Sequence, residues 1–142
     1  MPVNPFAFRH PRRGILTVSL AGPASNIVLA AVSGIALRVV AASSAHASLG
    51  SPLVLILFSL AIVNLYLAFF NLIPIPPLDG AGVVSAILPT KYAKSYESLG
   101  RYGTMLVLGL IVLGSFANIS IIGIVIQPPA EFLFRLFTGV RF

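Results

Sequence analysis

The sequence predicts an all-α polytopic membrane protein with about three transmembrane elements, the second broken by an unwound Pro-rich segment. Three observations carry that prediction. Of 142 residues, 58% are hydrophobic and only 8% charged, with a mean hydropathy of +1.03; a soluble domain carries about a quarter charged residues. Residues 14–37 and 104–127 contain no charge at all, and residues 39–90 contain one, Asp79. The basic residues behind the net charge of +6 flank these apolar runs rather than forming a stripe. That distribution orients a protein in a lipid bilayer and does not suit a nucleic-acid partner.

The first element is expected near 15–40. Its uncharged part, 14–37, lies between Arg12–Arg13 and Arg38 and amounts to about 36 Å of helix, enough to cross a core of about 30 Å with some tilt. It is too long for the apolar region of a cleavable signal peptide. The second element is expected near 52–88. An unbroken helix over that range would be about 55 Å long. Pro74, Pro76 and Pro77 would each cost on the order of 3 kcal/mol in a helix interior. The segment must therefore split into a helix near 52–72, an irregular stretch near 73–79 and a short helix near 80–88, which either completes the crossing or re-enters. The third element is expected at 104–127. The tail, 129–142, is too short to span and reads as an interfacial helix with Glu131 and Arg135 paired at i,i+4.

Charge fixes the expected orientation. Arg9, Arg12 and Arg13 precede the first span, and the 89–103 loop carries Lys91, Lys94 and Arg101 against Glu97, whereas the 41–51 loop has only His46. The positive-inside rule places the N-terminus and the 89–103 loop in the cytoplasm and the C-terminus outside, as in a multi-pass protein of a bacterial plasma membrane. Gly22, Asn26, Ala30 and Ser33 share one stripe of the first span, and Ala61, Asn64, Ala68 and Asn71 share one of the second. Small residues let helices approach, and buried amides bond between them.

Asp79 is the residue that demands a function. A carboxylate at bilayer depth costs roughly 2.5–3.5 kcal/mol on insertion scales, so one that persists there has a partner and a task. Unwound backbone beside it, inside an apolar chain, marks a membrane-embedded site rather than an anchor. The chain has no cysteine, which leaves any metal to His, Asp, Glu or water.

The motifs around Asp79 resemble those of a known family. Asn71-Leu-Ile-Pro-Ile-Pro-Pro-Leu-Asp-Gly80 resembles the second metal-ligand motif of the site-2 proteases, the intramembrane zinc metalloproteases. Ala21-Gly-Pro-Ala-Ser-Asn26 is similar to the Gly-Pro-x-x-Asn motif one span earlier, and Pro2–Gly14 to the loop that precedes it in compact bacterial members. The resemblance implies that Asp79 is the third protein ligand of a catalytic zinc and that Asn26 acts in catalysis by holding or polarising the scissile carbonyl. Gly22, Pro23, Asn71, Pro74, Pro77 and Gly80 would support the two motifs. It also implies a membrane-embedded protein substrate. Catalytic zinc keeps three protein ligands and one open position for water, whose pKa it lowers.

One departure is severe. The family's His-Glu-x-x-His helix, source of two ligands and the general base, is absent; His10 and His46 have no i,i+4 partner, and neither Glu97 nor Glu131 fits the general-base position. With one recognisable ligand of three, the chain alone is not expected to hydrolyse peptides. It reads as one membrane-embedded domain over 1–142, with 1–13 a cytoplasmic loop, 14–90 resembling the metalloprotease core, and 91–142 a loop, third span and tail. Met1-Pro2 falls inside what resembles a family loop, which favours a C-terminal piece of a full protease lacking its N-terminal helix. The alternatives are an inactive short protein that binds transmembrane helices or a partner subunit, and a transporter fragment; the latter predicts a repeated broken helix, which the sequence does not contain.

Overall fold

The computed structural model describes residues 11–43, 51–117 and 120–139. The loops holding His10 and His46, and the segment similar to the family loop up to His10, lie outside the described residues. Among the described residues six helices follow one another: α1 (Pro11–Ser43), α2 (Pro52–Asn71), α3 (Asp79–Ile87), α4 (Thr90–Ser98), α5 (Gly100–Phe116) and α6 (Ile121–Thr138). Three of them, α1, α2 and α6, are long and apolar enough to cross a membrane. The protein is an all-helical integral membrane protein, as the composition requires.

Local chemistry sets the boundaries. Pro11 opens α1 where its missing N–H costs nothing. Ser51 caps α2, its hydroxyl accepting from the Val54 amide at 3.4 Å ahead of Pro52. α2 ends at Asn71, and the chain turns irregularly until Leu78, whose extended backbone leads into α3. The expected helix near 80–88 thus forms one residue earlier, at 79–87. The open question of its direction is answered by its contacts with α1. Asp79 lies against Gly22 and Gly82 against Ser19, and Arg12 donates to the Thr90 hydroxyl at 3.3 Å. These pairs run antiparallel, so α3 leads from the level of Gly22 back along α1 towards Arg12.

The packed stripes are those of small residues. Ala30, Ala61 and Ala68 are fully buried or nearly so, and α1 packs most extensively on α2. Asn64 differs from the expectation of an interhelical amide: it donates to the Leu60 carbonyl of its own helix at 2.8 Å. The core is closed by α6, which sets Ile126, Ala130 and Phe134 against Val54, Ala61 and Leu65. Phe134 meets Phe58 edge-on, ring centres 5.3 Å apart.

The third span is displaced from its expected place. The uncharged run 104–127 is not one helix: α5 takes its first part, the chain turns at Ala117, and Ser120 caps α6, accepting from the Gly123 amide at 3.0 Å. A serine cap outweighs continuous hydropathy. The tail residues up to Thr138 belong to α6 rather than to a separate interfacial helix, because Ala130 and Phe134 are core residues. Pro128 and Pro129 sit inside this helix, where membrane helices tolerate them. The expected Glu131–Arg135 pair forms, at 3.5 Å. At its far end, Phe137 rests on Gly34 and Gly139 beside Arg38, so α6 ends next to the last turns of α1, away from Arg12 and Thr90.

Candidate functional site

Asp79 is the first residue of α3. The backbone reaches it through turns closed by Ile73 N–H to the Phe70 carbonyl, Ile75 N–H to Ile73 and Leu78 N–H to Ile75, at 3.1, 2.8 and 2.9 Å. The Pro76–Pro77 bond is cis. This path projects the side chain from a helix start, where the exposed N–H groups favour a negative charge. Gly22 lies about 15 Å beyond Arg12 along α1, roughly half the thickness of a bilayer core, and fixes the depth of the carboxylate opposite it.

Glycines make the close approach possible. A Cβ on Gly22 would stand 2.7 Å from Asp79 Oδ2, so the carboxylate occupies the space a side chain there would take. A Cβ on Gly80 would overlap the backbone carbonyl of Leu72 and approach that of Ile73 at 2.6 Å. Gly80 therefore lets α3 start directly beneath the end of α2. A cavity of about 610 Å³ opens at this point, lined among others by Ile15, Ser19, Gly22, Pro77, Asp79 and Glu97.

The structure brings Gly22, Pro77, Gly80 and Asp79 together. Asn26 is half-buried, one turn beyond Gly22 on α1, outside the lining of this cavity and without a hydrogen bond among the described residues. Pro23 is fully buried within α1. Asn71 closes α2 ahead of the break, and Pro74 is exposed, its carbonyl accepting from the Tyr96 hydroxyl at 2.5 Å.

Ser19, Tyr96 and Gly103 were not singled out from the sequence, and Glu97, expected in a loop, lies on α4 and lines the cavity. Ser19 precedes Gly22 by one turn on the stripe already marked by Gly22 and Asn26, and that spacing is a usable signal. Gly100 and Gly103, at i,i+3, both meet Pro76; a paired small-residue face was visible there too. Nothing in the sequence around Tyr96 and Glu97 announces their reach to the break.

The donor set can be tested for zinc. Asp79 suits one ligand: a carboxylate at the wall of a cavity, within a bilayer. No group of three His, Cys, Asp or Glu side chains that could hold a metal occurs among the described residues. These residues therefore do not close a zinc site by themselves.

The profile of Peptidase family M50 matches residues 37–115. The chain is 36% identical over 121 residues to a Bacillus subtilis protein named "Putative zinc metalloprotease YwhC", covering 82% of this chain and 55% of that one. It is 35% identical over 106 residues to "Zinc metalloprotease MJ0392" of Methanocaldococcus jannaschii, covering 73% and 29%. Over 102 residues it is 35% identical to "Putative zinc metalloprotease Rip3" of Mycobacterium tuberculosis, covering 68% and 24%. The chain thus spans about half the length of the Bacillus relative and less of the other two. No solved structure matches it significantly. On the profile match and these identities, the chain belongs to Peptidase family M50, the site-2 proteases, a family of zinc metalloproteases.

Proposed function

We propose that this chain supplies the carboxylate ligand and the substrate-side wall of an intramembrane zinc endopeptidase that cuts membrane-embedded proteins. The observation that carries the reading is the placement of Asp79 against Gly22, about 15 Å along α1 from Arg12, at the wall of a cavity that Glu97 also lines. Its remaining zinc partners come from outside the 142 residues, on a His-Glu-x-x-His helix seated over that cavity. A zinc held there would supply the Lewis acidity that lets water ionise near neutral pH. Asp79 holds its carboxylate at the wall, fixed by the start of α3 and by Gly80 behind it. The aliphatic side chains of Ile15 and Val18 keep this part of the cavity apolar. Asn26, one turn farther along α1, presents an amide with free donors towards a substrate backbone. The basic ends at Arg12–Arg13 and at Lys91, beside Thr90, face the cytoplasm of a bacterial cell, and Arg38 faces outward.

The test is reconstitution with the His-Glu-x-x-His helix in a membrane. Asp79→Ala abolishes both zinc retention and cleavage of a transmembrane substrate, while Asp79→Glu keeps part of the zinc. Asn26→Ala lowers turnover with zinc content intact. Equal loss of zinc in the Asn26 and Asp79 variants overturns this division of roles. The shortage of donors favours one second reading, an inactive membrane protein that grips transmembrane helices. An assembled protein that retains no zinc and cuts no transmembrane substrate decides for it, whereas cleavage that survives Asp79→Ala overturns the ligand role alone.

A further inference from the structure

We propose that the elbow between α4 and α5 is a clamp that positions Asp79, with Tyr96 as its positioning residue and Gly103 as its seat. The proposal rests on the reading of Asp79 as a zinc ligand, and the clamp itself is testable without metal. The segment 72–78 cannot hold itself by a regular ladder, since Pro74, Pro76 and Pro77 carry no N–H. Its own amides at Ile73, Ile75 and Leu78 close only local turns. Two carbonyls in it are instead met from outside. The Pro74 carbonyl accepts the Tyr96 hydroxyl at 2.5 Å. The Pro76 carbonyl lies directly on Gly103, where an added Cβ would overlap it, and Gly100 touches the Pro76 ring.

These two contacts differ in kind. The Gly103 amide is already used on the Leu99 carbonyl at 3.0 Å, so its contact with Pro76 is close packing and not a hydrogen bond. Tyr96 supplies the directional part. At membrane depth a backbone carbonyl without a donor is costly, which gives a single hydroxyl leverage over the path of the chain. α4 buries none of its residues, and among the described residues its polar side-chain holds on other elements are the Tyr96 bond and the Arg12–Thr90 bond. Glu97, beside Tyr96, lines the same cavity as Asp79. The clamp therefore grips the break three to five residues ahead of the carboxylate, at a bend of 55° between α4 and α5.

The experiment has two arms. In the 142-residue chain in lipid nanodiscs, amide hydrogen exchange is followed at Ile75, Leu78 and Ala81 and, as an internal reference, at Ala61–Ala68. Tyr96→Phe accelerates the first set by about fivefold or more, the scale of one lost hydrogen bond, and leaves the reference unchanged. Replacing Tyr96 with p-aminophenylalanine, which restores a donor, returns the protection. Tyr102→Phe, at an exposed ring, changes neither set. Unchanged exchange in Tyr96→Phe, or no rescue by the amine, overturns the clamp. In the second arm the chain is assembled with a His-Glu-x-x-His helix and zinc per protein is measured. Zinc retention falls at least tenfold in Tyr96→Phe, roughly the effect of removing a group that orients a ligand, and is lost in Asp79→Ala. Zinc lost in Asp79→Ala but kept in Tyr96→Phe overturns the positioning role. Zinc kept in Asp79→Ala overturns the ligand reading and leaves the first arm to judge the clamp.

Discussion

The chain interrupts its apolar runs twice, and the two interruptions are built differently. Between α2 and α3 the break holds three prolines and leads into a carboxylate, and neighbouring backbone closes on it from several sides: Gly80 beneath Leu72, Gly103 on Pro76, Gly22 opposite Asp79. Between α5 and α6 a serine cap turns the chain, with Ser120 accepting from Gly123. The first break is over-determined by tertiary contact, and the second is specified by a local hydrogen bond. A turn needs only the latter. Contacts that leave no room for a single methyl group are what a site needs if a ligand is to stay in place.

The largest effect should follow from closing the space behind Asp79. Gly80→Ala puts a methyl group into the Leu72 carbonyl, which is backbone and cannot step aside. We expect a loss of about 3 kcal/mol or more, the upper range for overpacking, read as a lower unfolding temperature in detergent. Gly22→Ala is next and separates stability from function. Its methyl group meets the end of the Asp79 side chain, which can rotate away, so the unfolding temperature should barely move. Zinc retention in the assembled protease should nevertheless fall, because the displaced oxygen is the proposed ligand. An equal loss of stability in the two variants would erase the distinction between backbone and side-chain contact at this break.

How much of this was legible in the sequence follows the same division. The prolines and Asp79 announced the first break and the helix on either side of it, because they violate helix and bilayer preferences strongly. The second break was not legible from hydropathy, since residues 104–127 are uncharged throughout, and the Ser120 cap marks where α6 begins. The tail misled for a related reason: Pro128 and Pro129 look like a stop, yet Ile126, Ala130 and Phe134 recur at helical spacing and are buried on α2. At the site, the sequence marked Gly22 and Asp79 separately and only the fold brings them into contact, while Tyr96 reaches Pro74 across 22 positions of sequence, a relation that periodicity does not encode.

A smaller effect tests the second break. Ser120→Ala removes the side-chain acceptor for the Gly123 amide, and loss of such a cap costs about 1 kcal/mol. The change should appear as a modest fall in unfolding temperature and faster exchange at Gly123, with the exchange of Leu78 and Ala81 untouched. Propagation to those amides would show that the two breaks share one cooperative unit.

The smallest effect has the opposite sign. Gly109 lies in the middle of α5, and an added Cβ there meets nothing within 4 Å. With no steric reason for glycine, alanine should stabilise α5 by up to about 1 kcal/mol, the difference in helix propensity between the two residues. The sign carries the argument. Gly80, Gly103 and Gly109 all sit in helices, and intrinsic propensity alone would favour alanine at each. If Gly109→Ala raises the unfolding temperature while Gly80→Ala and Gly103→Ala lower it, close backbone approach at the first break is what holds those glycines in place. A fall at all three would mean instead that α5 needs a flexible or closely covered face along its length, and the braced break would lose its special status.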